Sequence, residues 1–232
     1  MSAALITEFA DLESLSAAAA EAIAETASRA AAERGRFSLA LSGGGTPRRT
    51  YERLAALRMP WESTHIFWGD ERCVPRENPA SNYRMARETL LSRAAIPAAN
   101  IHPMPCDPAS AEAGARSYEA ELRSFFGAEP AFDLILLGLG PDGHTASLFP
   151  GEPTLHESKR WVLSTPGRAA NPPVPRLTLT YPAISASRGV LLLAAGAGKK
   201  ALVESAARGN AAFPAALARA AGETRWFWSA RD

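Results

Sequence analysis

Cysteine is scarce in this chain: Cys73 and Cys106 are the only two among 232 residues, and they do not form a C-x-x-C pair. A thiolate metal cage and a disulfide framework are both unexpected from that count, and reduced thiols in a cytoplasmic chain are the simplest reading. An excess of charge of one sign is missing as well. The chain carries 25 Lys+Arg against 24 Asp+Glu, a formal charge of +1. General nucleic-acid and membrane-surface binders need a strong basic bias, so neither partner is expected. A small anionic ligand remains compatible, because a few placed cations suffice for it. No apolar run approaches the roughly 20 residues of a membrane span. The alanine-rich stretch 15–32 is interrupted by Glu21, Glu25 and Arg29, and Met1-Ser2-Ala3-Ala4-Leu5 lacks the basic flank of a signal peptide. Three motifs are absent too: a Walker A loop, a G-x-G-x-x-G fingerprint and a G-x-S-x-G nucleophile elbow. Nucleotide binding and covalent serine hydrolysis are therefore disfavoured, and water is the expected nucleophile.

What is present is the pattern of an α/β protein. Hydrophobic residues make up 47% and charged residues 21%, close to a globular average. Strands are expected at 4–9, 37–41, 64–68, 132–137, 161–163, 176–180 and 189–194, with Trp226-Phe227-Trp228 closing the sheet. Helices are expected from Asp11 or Ser14 to about Glu33 with Gly35 as the stop, from Pro47 through Leu54, from Ser81 through Leu91, from Ala109 to about Phe126, and over 199–208. The proline-rich stretch 166–175 reads as a loop. Strands alternating with helices point to a single doubly wound, mostly parallel sheet with helices on both faces, an α/β/α sandwich spanning 1–232 as one domain. In such sheets ligands bind beyond the carboxyl ends of the strands. Glycine-rich turns at Ser42, Gly69 and Gly138 would gather at that edge.

Four segments carry candidate chemistry. Ser42-Gly43-Gly44-Gly45-Thr46-Pro47 follows a strand and opens a helix. Backbone N–H groups of Gly43, Gly44, Gly45 and Thr46, with the helix dipole, would suit a phosphate; a plain strand-to-helix turn is the alternative. Trp68-Gly69-Asp70-Glu71-Arg72 offers Arg72 as a two-pronged anion ligand and Asp70 as an acceptor from sugar hydroxyls or a base; a surface ion pair is the alternative. Gly138-Leu139-Gly140-Pro141-Asp142-Gly143-His144-Thr145-Ala146-Ser147-Leu148-Phe149-Pro150 puts an imidazole at the mouth of a buried strand. His144 suits proton transfer near neutral pH, with Asp142 stabilising the imidazolium or binding substrate; capping of a following helix is the alternative. Arg176, and Lys199 after Gly196-Ala197-Gly198, add cations near the same edge or are merely solvated. His65, His102 and His156 lack such a setting and read as structural or solvent-facing, and no metal site is expected.

In this order, Ser-Gly-Gly-Gly-Thr-Pro, Trp-Gly-Asp-Glu-Arg with Ser81-Asn82-Tyr83, the Asp-Gly-His-Thr-Ala-Ser-Leu-Phe-Pro string and Arg176-Leu177-Thr178-Leu179-Thr180 resemble the 6-phosphogluconolactonases, from about Glu8 to the C-terminus. The resemblance implies hydrolysis of 6-phospho-D-glucono-1,5-lactone to 6-phosphogluconate in the oxidative pentose phosphate pathway, without cofactor or metal, in the cytoplasm. It also implies that His144 takes the proton of the attacking water. The 6-phosphate would meet the glycine loop, the Thr46 hydroxyl and the cations Arg72, Arg176 and Lys199, whose shares are left open. Backbone N–H groups of the 138–143 turn, or an arginine, would meet the oxyanion. Glucosamine-6-phosphate deaminases are similar at the glycine loop and at Asp142-Gly143-His144. They carry an acidic residue where this chain has Phe149, and Asp-Glu-Tyr where it has Asp70-Glu71-Arg72. A non-catalytic sugar-phosphate sensor is the third expectation. A monomer or weak homodimer is expected.

Overall fold

The computed structural model describes residues 5–231. The chain opens with β1 (Leu5–Phe9), α1 (Leu12–Arg34), β2 (Phe37–Leu41), α2 (Gly45–Leu54), β3 (Thr64–Trp68) and β4 (Asp70–Arg72). It continues through α3 (Asn82–Ala86), α4 (Ala111–Phe126), β5 (Leu134–Gly138), β6 (Val162–Thr165) and β7 (Arg176–Leu179). The last elements are α5 (Tyr181–Ser185), β8 (Gly189–Ala195), α6 (Lys200–Ala207), α7 (Pro214–Leu217) and β9 (Glu223–Ser229). Ala4, expected in the first strand, lies outside the described residues. No helix among the described residues is long and apolar enough to cross a membrane.

Local chemistry sets the element ends. Asp11 caps α1 by accepting from the Ser14 N–H at 2.7 Å while its own N–H donates to Ser14 Oγ at 3.3 Å, a reciprocal capping box. The helix stops at Gly35, whose φ of 71° is the left-handed turn glycine takes without a Cβ clash. Strand β2 is buried at every residue, and β5 at its first four. That continuous apolarity marks parallel strands covered on both faces.

Six strands form a wholly parallel sheet in the order β1-β9-β8-β5-β2-β3, flanked by helices. Strand β9, carrying Trp226 to Trp228, runs inside the sheet between β8 and β1, so β1 rather than β9 is the edge. Two other features differ from what the sequence pattern predicts. The segments 161–163 and 176–180 belong to a separate three-stranded antiparallel sheet, β4-β7-β6. Its third member is Asp70–Arg72, expected as part of a turn but running as a strand. Gly69 is the seam: its N–H donates to Leu41 O at 2.8 Å in the large sheet, and its carbonyl accepts from the Leu179 N–H at 2.7 Å in the small one. An extended chain leaving β3 finds β7 alongside, and no local pattern could reveal that. Helix α4 packs on β6 and β7 and reaches β3, where the Trp68 N–H donates to the Tyr118 hydroxyl at 3.0 Å. One apolar cluster joins Leu39, Phe67 and Leu137 of the large sheet to Val162, Leu177 and Leu179 of the small one.

The thiols are not reduced: Cys73 and Cys106 form a disulfide. Cys73 follows β4 directly, and the loop before α4 runs past it, bringing the two Cα atoms to 4.5 Å across 33 residues of sequence. Spacing along the chain carried no trace of that proximity.

Candidate active site

The chain diverges at β2 and β5. Strand β2 leads outward to β3, whereas β5 leads the other way to β8, so the crevice between their carboxyl ends is a topological switch point. A cleft of about 170 Å³ opens there. Its walls are Ser42 to Gly44 after β2, Gly138 to Gly140 with His144 and Ala146 after β5, and Asp70, Arg72 and Arg176 from the small sheet. Parallel strands bring the first two groups together. The third arrives because β4 and β7 pair antiparallel beside the mouth of the crevice.

His144 sits on the β5 side. Its Nδ1 lies 2.5 Å from Asp142 Oδ1, and its backbone N–H donates to the same oxygen at 3.1 Å. The carboxylate acceptor assigns the proton to Nδ1 and leaves Nε2 as the basic nitrogen. Burial by itself would raise the Asp142 carboxyl, but the two His144 contacts hold it below the ordinary aspartate range. The imidazole lies against Gly140, where a Cβ would overlap Cε1 and Nδ1. Phe149 backs it with ring centroids 4.4 Å apart. Thr145 to Leu148 form a turn rather than a helix, so His144 is not a helix cap. Gly143, at φ 82°, lets the turn close against Phe213.

The opposite wall is cationic. Arg72 and Arg176 are direct partners in the β4–β7 ladder. Like charges facing one another across two strands are unfavourable unless an anion joins them. Arg176 is 3% exposed. Desolvation holds its guanidinium below the ordinary value, with Asp70 opposing and the Arg72 charge adding to the effect. Both arginines keep a buried Nε without a hydrogen-bond partner. Arg72 is braced by donating from Nη1 to Ala80 O at 2.6 Å, and Arg176 by donating from Nη2 to Asn171 O at 3.1 Å. Arg72 is therefore not one half of a surface ion pair, the alternative that its sequence neighbours left open.

The two carboxylates of Asp70-Glu71 part company. Asp70 lines the cleft, buried. Glu71 turns away and accepts the N–H groups of Arg72, Asn82 and Tyr83 at 2.7 to 2.8 Å, anchoring the start of α3. Burial pushes the Glu71 carboxyl up, against those three hydrogen bonds.

Gly43 and Gly44 line the cleft, but Gly45, Thr46 and Lys199 do not. Gly44 is the N-cap of α2 with φ 104°, so Gly45 and Thr46 enter the first turn beyond it. Lys199 sits just ahead of α6, and its Nζ donates to Leu139 O at 2.8 Å, fastening the turn that bears His144. Gly140 and Gly143 spend their N–H groups inside that turn, on His144 O and Gly140 O. Those two N–H groups are unavailable to an oxyanion, which narrows the donors expected of the 138–143 turn to its other residues or an arginine. His65 and His102 pair with each other at 3.2 Å away from the cleft, and His156 is exposed. Sequence reasoning missed two buried residues behind Asp70: Asn82, whose Nδ2 donates to Asp70 O at 2.9 Å, and Ser147, whose hydroxyl donates to Asp70 Oδ2 at 2.8 Å. Both lie inside recognised motifs, which was the only available signal. Among the described residues no group of three or more His, Cys, Asp or Glu gathers in metal-binding fashion.

Known proteins are similar to this chain in sequence and in fold. A family model described as glucosamine-6-phosphate isomerases/6-phosphogluconolactonase matches residues 10–228. The chain is 53% identical over 176 residues to the 6-phosphogluconolactonase of Synechocystis sp., covering 74% of this chain and 72% of that protein. It is 42% identical over 205 residues to the 6-phosphogluconolactonase of a Nostoc species, covering 85% and 84%. Its fold superposes on the crystal structure of 6-phosphogluconolactonase from Thermotoga maritima with a TM-score of 0.87 at 33% identity, covering 97% of this chain and 99% of that one.

Proposed function

The chain belongs to the glucosamine-6-phosphate isomerase/6-phosphogluconolactonase family, and from that premise we propose that it hydrolyses 6-phospho-D-glucono-1,5-lactone to 6-phosphogluconate with His144 as general base. The observation that carries the mechanism is the sharing of one cleft by the His144–Asp142 pair and the facing arginines Arg72 and Arg176. The phosphate lies between the two facing guanidiniums, beside the backbone of Gly43 and Gly44 in the same cleft. The lactone ring then extends toward the β5 side, with its C1 carbonyl near the imidazole.

Water attacks C1 as Nε2 of His144 removes its proton, and Asp142 stabilises the imidazolium through Nδ1. The tetrahedral oxyanion draws on an arginine lining the cleft or on the other N–H groups of the 138–143 turn, since Gly140 and Gly143 spend theirs within it. Collapse breaks the bond from C1 to the ring oxygen, which takes the proton back from His144. General-base catalysis of this kind supplies about 10²–10⁴-fold, and a δ-lactone is already an activated ester. Phe149 packs on both the imidazole and, at 5.7 Å, the Arg176 guanidinium. It occupies the position where an aldose–ketose isomerising relative carries a carboxylate, which weighs against deamination.

A pH-stat or coupled dehydrogenase assay on freshly generated lactone tests this, with glucosamine 6-phosphate as the control substrate. Lactone turnover without ammonia release is expected, together with a loss of about 10²-fold or more in kcat for His144→Ala at little change in KM. Ammonia release from the amino sugar would make the chain a deaminase. Tight binding without turnover would make it a sensor.

A further inference from the structure

Ser147 is fully buried three residues beyond His144 and takes no part in the chemistry above. Its hydroxyl proton is committed to Asp70 Oδ2 at 2.8 Å. Its N–H donates to Thr178 Oγ1 at 3.2 Å, and Thr178 is the residue opposite Asp70 in the β4–β7 ladder. Ala146, immediately before it, has φ 48°, a left-handed conformation that non-glycine residues rarely adopt. The turn that presents the Ser147 hydroxyl is thus held against its own backbone preference.

The consequence lies at Arg176. Asp70 Oδ2, the same oxygen that Ser147 holds, stands 3.9 Å from Arg176 Nη1. That is too long for a hydrogen bond and short enough for the pair to close. A carboxylate and a guanidinium buried side by side, with no other donors, settle into contact at about 2.7–2.9 Å. Such contact would neutralise the cation that faces Arg72. Here Ser147 occupies Oδ2, and Asn82 Nδ2 reaches Oδ1 at 3.3 Å, so the carboxylate is tethered short of the arginine. We propose that Ser147 is a positioning residue that keeps Asp70 from closing on Arg176 and thereby keeps that guanidinium open to the substrate's phosphate. This rests on the assignment of the Arg72–Arg176 pair to the phosphate.

Inorganic phosphate is the probe, titrated calorimetrically and used as an inhibitor of lactone turnover. Ser147→Ala removes one oxygen atom and the donor. Loss of a hydrogen bond to a charged group predicts a rise of about tenfold in the phosphate Kd and in KM for the phosphorylated lactone, with kcat moving much less. The preference for phosphorylated over unphosphorylated gluconolactone should fall by the same factor. General loosening of the site would damage both substrates alike and leave that ratio intact. Adding Asp70→Asn to Ser147→Ala removes the charge that closes on Arg176, so phosphate affinity is expected to return toward the parent value. Ser147→Cys, similar in size and a poor donor, repeats the comparison if the alanine variant melts early. Unchanged phosphate affinity in both single variants, or no recovery in the double variant, overturns the role of Ser147. If Arg176→Met leaves phosphate affinity untouched, it is the phosphate assignment itself that fails.

Discussion

Gly140 offers the sharpest test of where the base must stand. An alanine there would carry a Cβ overlapping Cε1 and Nδ1 of His144 and only 2.8 Å from Cγ. Carbon atoms in contact sit at about 3.5–4.0 Å, so the ring must retreat by roughly 1 Å or more. The backbone itself is not at issue, because Gly140 is absent from the positions with positive φ. The ring can yield: the His144 side chain is 26% exposed and lies against the open cleft. Retreat breaks the 2.5 Å contact of Nδ1 with Asp142 Oδ1. Stability should therefore fall by no more than about 1 kcal/mol, the net value of a hydrogen bond. Catalysis should suffer far more, since a displacement of about 1 Å in a reacting group lowers the rate by about 10²-fold. Gly140→Ala is thus expected to keep its melting transition and its phosphate affinity while kcat drops by about two orders of magnitude. Steady-state lactone kinetics beside a thermal melt decide the matter. A folded Gly140→Ala enzyme with kcat within about threefold of the parent, far short of that loss, would falsify the placement of His144 as the base.

Other outcomes follow from the same geometry. Arg72→Ala leaves Arg176 to face the phosphate without its cross-strand partner, so KM should rise by about tenfold or more with a smaller fall in kcat; a pure kcat effect would move Arg72 away from the phosphate. Glu71 has a raised carboxyl pKa, so the folded chain favours its protonated form and the parent loses stability as pH rises from the ordinary glutamate value of about 4.3 through the raised one. Glu71→Gln cannot titrate, so urea melts across that window should show the variant gaining on the parent as pH rises; a constant difference refutes the assignment. The disulfide closes a loop over a separation of 33 residues, and Cys73→Ser with Cys106→Ser should lower unfolding free energy by about 3 kcal/mol in denaturant melts; a loss under about 1 kcal/mol would mean the unfolded chain gains little freedom on cutting it.

Much of the site was readable because its chemistry is written in short runs. The glycines after β2 and the Asp142–His144 string after β5 each follow a buried apolar strand, and parallel pairing of β2 with β5 carries both to one rim. What the sequence did not show depends on contacts between distant segments. Lys199 stands after a strand, and one N–H of its ammonium reaches the Leu139 carbonyl 60 residues away. Glu71 and Asp70 are neighbours with the same functional group, and strand alternation sends one to the α3 anchor and the other to the cleft. The partnership of Ser147 and Asn82 with Asp70 spans 77 and 12 residues of sequence and has no local signature.

Apolar periodicity, helix caps and turn glycines act over a few residues, so the composition of the chain by itself determined the alternation of strands and helices and the identity of the reactive groups. Pairing is different, because the same extended segment satisfies its backbone equally well in either sheet. Only the folded chain decided that Asp70 to Arg72 would leave the large sheet at Gly69 and pair antiparallel with β7. That choice set Arg72 against Arg176, joined Cys73 to Cys106, and turned scattered cations into one cationic wall opposite His144.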